Sequence, residues 1–365
     1  MTILYDEAQQ AIATESRRVL DAGYDLDRLL GLVDATGEYD ERFWQTAVEQ
    51  GWSALSVPEQ YDGLGLGLIE LGLIAQGLGA VTAGAPFLSG NDAFVQSLVA
   101  GNDEAVRQAW LPKIAAGEAI GIAALGEGSS PLPMAPAVTF ADGKLSGEKS
   151  AVAGALHADA GVVWASSGGS PVLALVAIDD SMRRPVDSFD NSRLYAELVF
   201  DGAPATVLLE GDAARKAARN VLARQAVVIA HEQTGGAEKA MQIARDYALE
   251  RKAFGQPIGA FQSIKHRIAE LYGLVELARA NCIDAAASEG KLDFVLKACA
   301  ARLSASEAYD TAARDAVQIH GGIGVTWQLG LHLHMRRARS LAAELGSPLF
   351  WEDLLVSELE AGAQP

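Results

Sequence analysis

Positive charge is scarce in this chain. Its 29 Lys and Arg residues stand against 47 Asp and Glu, a formal net charge of −18. A surface of that sign argues against a nucleic-acid groove or an anionic membrane as the main partner, although a local basic patch can still take a phosphorylated ligand. Cysteine is scarcer still. Cys282 and Cys299 are the only two, seventeen positions apart in a stretch that reads as helix. That is neither a disulfide framework nor a zinc ligand set, and a cytoplasmic home is expected. No run of about 18 apolar residues occurs, so no membrane span is expected. The opening MTILYDEAQQAIATESRR lacks the basic start and apolar core of a signal peptide. What is abundant is hydrophobic residues, at 50%. That is ample for the cores of the two or three domains the length suggests.

The texture along the chain changes twice. From Tyr5 to about Ile114, apolar residues recur three and four apart, as in YDEAQQAIATESRRVL. DERFWQTAVEQGW has the same period, with Asp40 as N-cap and Gly51 as stop. Around Ala119 short β-like runs take over. AVTFADGKLSGEKSAVAG reads as strand, Asp-Gly turn, strand; AGVVWASS, PVLALVAIDD and YAELVFDGA follow. From about Ala213 the helical period returns in four long stretches, the first carrying Gly235 and Gly236 as a point of loosening. Long amphipathic helices with short connections describe a bundle. The expected plan is α+β: an N-terminal helical domain over 1–118, a small central β-domain over 119–212, and a C-terminal four-helix bundle over 213–365.

Three segments are similar to the acyl-CoA dehydrogenase family. FWQTAVEQGWSALSVPEQYDGLGLGLIELGLIAQGLG (43–79) resembles the family's N-terminal helices and Pro-Glu-Glu-Tyr-Gly-Gly loop. ERKAFGQPIGAFQSIKHRIAEL (250–271) resembles its Arg-x-x-Phe-Gly signature, and AVQIHGGIGVTWQLGLHLHMRRA (316–338) its Gln-Ile-His-Gly-Gly segment. They are far apart, in the family's order, and fit the α–β–α plan. The resemblance implies FAD, an acyl-CoA thioester substrate and α,β-dehydrogenation. A carboxylate takes the α-proton, the β-hydrogen leaves as hydride to the flavin, and the electrons pass on, as to an electron-transfer flavoprotein.

By the same resemblance, Arg251 neutralises the FAD pyrophosphate of a neighbouring subunit, a task for which a planar guanidinium is suited. Phe254 and Gln262 belong to that site. Gln318 and Gly322 approach the adenosine and pyrophosphate, and glycine lets backbone come close to a ligand. His320 is read as structural, because no second ligand stands at metal spacing in its loop; His332 and His334, two apart on a helix, face different sides.

The flavin-ring pocket and the base depart from the family pattern. Gly126 of ALGEGSS stands where a ring-contacting Thr is usual, with Ser129 or Ser130 as substitutes. Ala151 and Ala153 occupy the aromatic and hydroxyl positions of the next strand. Leu345 falls at the usual base position, with Glu344 one residue out of register. Gln225, at the alternative base position on the long helix, cannot take a proton; Glu232, two turns on and inside an apolar run, is the leading candidate base, with Glu344 second. The implied assembly is a tetramer with a homologous second subunit that completes the ring pocket and supplies the base, as in bacterial two-subunit enzymes acting on steroid side chains or dicarboxylic acyl-CoAs. The alternatives are a self-sufficient homotetramer using Glu232 or Glu344, and a non-catalytic structural subunit.

Overall fold

The computed structural model describes residues 5–38, 40–83 and 87–362. The first four residues, position 39 and positions 84–86 of the expected helical region lie outside the described residues. That region forms α1 (Glu7–Gly23), α2 (Leu26–Val33), α3 (Glu41–Glu49), α4 (Leu68–Ala80), α5 (Phe87–Ala100) and α6 (Glu104–Ala115). Short polar residues start the helices. Asp6 and Gln9 form a reciprocal capping box on α1. The Asp40 carboxylate accepts from the Phe43 amide at 3.0 Å, and Gly51, at φ 73°, turns the chain away after α3. Helix α4 is the exception, with Leu68, Leu71, Leu73, Ile74 and Leu78 buried around most of its circumference. A helix so covered belongs inside the molecule.

The middle of the chain holds β1 (Gly121–Ala124), β2 (Thr139–Ala141), β3 (Lys144–Val152), β4 (Ala160–Ser167), β5 (Ser170–Ala177), β6 (Arg183–Pro185) and β7 (Ala196–Glu210). The Asp142-Gly143 turn takes left-handed φ at both residues, as a tight hairpin between β2 and β3 demands. Strand β4 pairs with β5, β5 with β7, β7 with β3, β3 with β2 and β2 back with β4. This ring is closed, which covers the edges of its five strands, while β1 pairs with β4 and β6 with β7 outside it. The run YAELVFDGA places the end of the last strand at Ala203. Instead β7 passes through Gly202 at φ 66° and runs on to Glu210, 15 residues in all, because both halves find partners, β3 and then β5.

The C-terminal part begins with α7 (Gly211–Glu250), an unbroken helix of 40 residues. A small hairpin, β8 (Lys252–Ala253) and β9 (Gln256–Pro257), leads to α8 (Gln262–Ala286), followed by α9 (Phe294–His320), α10 (Leu331–Ala343) and α11 (Pro348–Gly362). Gly235 and Gly236 do not loosen α7. A methyl on Gly235 would collide with the Gln76 carbonyl of α4, one on Gly79 with the Glu232 carbonyl, and one on Gly236 with the Tyr309 ring. The glycines are where α7 touches its neighbours, and a stripe of fully buried alanines (Ala230, Ala237, Ala240, Ala244) continues the close contact.

Candidate active site

A cleft of about 470 Å³ opens between the β-domain and the bundle. One wall is the connection after β1, where Glu127 and Ser130 pair their backbones across a tight turn. Gly126 suits this turn, since a Cβ there would lie 3.3 Å from the Ser130 carbonyl oxygen. A second wall is the end of β3, where the pairing with β7 is interrupted between Lys149 and Val152 and Ala151 takes a left-handed φ of 48°. Beneath both lies a lysine that sequence reading missed. Lys149, wholly buried, donates to the Leu125 carbonyl at 3.2 Å and to the Glu127 carboxylate at 2.6 Å. Burial pushes its ammonium down to about 8 against the opposing pull of Glu127.

Gly126, Ala151, Ala153, Gln225 and Leu345, the positions that set this chain apart in the sequence, all line this one cleft. Ser129, Ser130 and Glu344 line it too; Glu232 does not. Glu344 caps the C-terminus of α10, and Leu345 after it adopts φ 60°.

Glu344 is the one carboxylate among the described lining residues, and it is fully engaged. Arg193 grips it with both arms, Nη2 to Oε1 at 2.6 Å and Nε to Oε2 at 3.1 Å. The Tyr195 hydroxyl donates to Oε2 at 2.7 Å, and Arg302 holds the Glu344 carbonyl oxygen at 2.7 Å. Burial alone would raise the Glu344 carboxyl, but the Arg193 charge and the donated hydrogen bonds outweigh it and hold it below the usual range. Such a bidentate, charge-assisted pair is a poor proton acceptor. Glu232 is tied down in the same network, accepting from Arg337 at 2.8 Å and Arg193 at 3.2 Å. Arg337 also donates to Asp190 at 2.7 Å, so Arg193, Arg302 and Arg337 are balanced by Asp190, Glu232 and Glu344, all buried. The loop before β7 carries Asp190, Arg193 and Tyr195, and through them clamps the β-domain to α7, α9 and α10.

The other site residues lie elsewhere. Arg251 is the C-cap of α7, 26 residues beyond Gln225 on the same helix, or about 39 Å at the helical rise. Its guanidinium is exposed and forms no ion pair with a described residue. Phe254 is 96% exposed at a left-handed φ of 51°. Gln262 opens α8, Gln318 ends the exposed face of α9, and Gly322 follows it; all three are exposed. The two motif segments meet here, because Tyr247 of α7 stacks on His320 of α9 at 4.1 Å between ring centroids. His320 is buried, and its Nδ1–H donates to the Ala316 carbonyl at 2.7 Å, so its place is structural.

Residues 6–118 match the acyl-CoA dehydrogenase N-terminal domain model, and residues 215–348 match the acyl-CoA dehydrogenase C-terminal domain model. The acyl-CoA dehydrogenase IpdE2 of Mycobacterium tuberculosis is 33% identical over 311 residues, 85% of this chain and 84% of that protein. The chain belongs to the acyl-CoA dehydrogenase family. Among solved structures, the Tcur3481-Tcur3483 steroid ACAD G363A variant superposes with a TM-score of 0.85 at 25% identity, covering 98% of this chain and 99% of that one. The ChsE4-ChsE5 complex from Mycobacterium tuberculosis gives 0.86 at 22% identity over the full length of both chains.

The family is one of FAD-dependent oxidoreductases acting on acyl-CoA thioesters, and the residues present fit that cofactor in part. An unpaired guanidinium beside exposed amides and glycines suits a pyrophosphate and an adenosine. The cleft offers no side-chain hydroxyl at positions 126, 151 or 153; Ser129 and Ser130 are the hydroxyls on that wall. Arg251 and the cleft of a single chain are also too far apart for one dinucleotide to reach both.

Proposed function

We propose that the chain works in FAD-dependent α,β-dehydrogenation of an acyl-CoA thioester as one subunit of a hetero-oligomer, whose homologous partner supplies the flavin-ring pocket and the base. The observation that carries this reading is the state of Glu344: the carboxylate on the cleft is committed to Arg193 and Tyr195. FAD, when bound, supplies the acceptor for the hydride leaving the β-carbon. Arg251 neutralises the pyrophosphate of an FAD seated mainly on the partner, and its exposure, with no ion pair to a described residue, leaves it available. Gln262 and Gln318 offer donors and acceptors to the adenosine end, Phe254 stacks or packs beside it, and the backbone at Gly322 comes close. The external electron acceptor in this reading is an electron-transfer flavoprotein. Support for an unlike partner comes also from the two-component steroid ACAD and the ChsE4-ChsE5 complex with which this chain superposes.

The competing reading is a homotetramer in which Glu344 takes the α-proton, favoured only by its position on the cleft. Separate Glu344→Gln and Glu232→Gln variants distinguish the two. With both carboxylates structural, the turnover of the purified complex falls less than about tenfold in each, whereas loss of a true base costs about 10²–10⁴. A loss on that larger scale in a variant that still folds would transfer the base to this chain.

A further inference from the structure

Gln225 is unexplained by the account so far. It projects from α7 into the wall of the cleft, is 5% exposed, and its Oε1 is buried without a hydrogen-bond partner among the described residues. The preceding residue is handled differently. Arg224 is equally buried, but it meets Asp92 through two hydrogen bonds, at 2.9 and 3.0 Å, and also pairs with Glu289. A fold that satisfies Arg224 so completely leaves an amide beside it unsatisfied, and an unmet buried acceptor bears its full desolvation penalty. The terminal torsion of a glutamine is soft, so a small rotation turns either amide atom toward the cleft. A hydroxyl, at once donor and acceptor, satisfies the amide in both orientations. The cleft is lined as well by the buried Ser89 and Ser340 and by Tyr195, a more polar lining than a plain hydrocarbon chain needs.

We propose that this cleft is a ligand site in its own right, lacking a base, and that Gln225 selects an acyl-CoA whose acyl group carries a hydroxyl over the same acyl group without one. The thioester half of this ligand rests on the function proposed above; the hydroxyl half rests on Gln225. Binding here is recognition only, with no bond made or broken.

The test is calorimetric titration of the chain as it purifies, with its FAD and any second chain, under anaerobic conditions without an electron acceptor. The probes are butanoyl-CoA, 3-hydroxybutanoyl-CoA and 4-hydroxybutanoyl-CoA. At least one hydroxylated probe binds about tenfold or more tightly than butanoyl-CoA. In Gln225→Leu that preference disappears, while the melting temperature of the unliganded protein stays the same or rises, because a buried orphan has been removed. Gln225→Met serves the same purpose should the leucine variant not fold. Equal affinities for the three probes in the native protein overturn the inference and leave the function standing. A preference that survives in the variant also overturns it, because the selection then lies in another site. Absence of binding by all three probes defeats the proposed function as well.

Discussion

The cleft and the far end of the bundle both collect arginines, yet they treat them in opposite ways. At the cleft, the buried Arg193 and Arg337 meet three carboxylates, and the buried Arg302 holds the Glu344 carbonyl oxygen. At the far end Arg251 stands exposed with no ion pair to a described residue, and Gln262 and Gln318 are exposed too. A charge network that is internally complete has nothing left to offer a substrate; it fixes one domain against another. Polar groups left unmatched on a surface are free to take a charged ligand. The contrast explains why a sequence rich in family motifs at one end can have a spent carboxylate at the other.

The largest effect is expected from breaking the complete network. Arg193→Met removes the bidentate partner of the buried Glu344 and leaves Glu232 with Arg337 alone, which costs about 3–5 kcal/mol, read from the midpoint of urea unfolding. The next comes from acid. His231 is buried with Nε2 unpartnered, and burial pushes its pKa down from 6.5 to about 4. Below pH 6.5 the unfolded histidine binds a proton that the folded one refuses. Stability is therefore full above 6.5 and falls as pH drops toward 4, by about 3 kcal/mol for this residue. His334, pushed down to about 3, extends the same loss to lower pH. In His231→Leu the unfolding midpoint declines less steeply over that window. Smaller again is Gly235→Ala, where the added methyl meets the Gln76 carbonyl and α4 must separate from α7, at about 1–3 kcal/mol. The least effect on stability belongs to the far end: Arg251→Ala changes it by no more than about 0.5 kcal/mol. That variant nevertheless loses FAD on gel filtration of the assembled enzyme, the reverse of the pattern at Arg193.

The fold could be read in the sequence wherever periodicity is local. The helical stretches, the Asp142-Gly143 hairpin and the Asp40 cap depend on neighbours within a few residues. The course of β7 through Gly202 did not show, because its second half is held by β5, well back in the chain, with pairs from Val176–Ala205 to Val172–Glu210. The proposed far-end residues come from two compact motifs, each legible within a short stretch of sequence. The cleft network was missed for a physical reason. Arg193 and Glu344 are 151 residues apart, Arg193 and Glu232 are 39 apart, and nothing in NSRLYAEL marks Arg193 as other than a surface arginine. Glu232 drew attention because a carboxylate stood in an apolar run. The pattern gave its burial, but not the two guanidinium groups it meets there.

The central claim is that this chain offers a phosphate grip without a working base. It is tested most directly by purifying the chain twice, alone and co-expressed with candidate homologous subunits, and recording flavin absorbance per chain together with acyl-CoA oxidation. The account predicts little FAD and no oxidation for the chain alone, and stoichiometric FAD with activity once an unlike second chain co-purifies. Full FAD occupancy and acyl-CoA oxidation by the chain alone, abolished by Glu344→Gln, would contradict it.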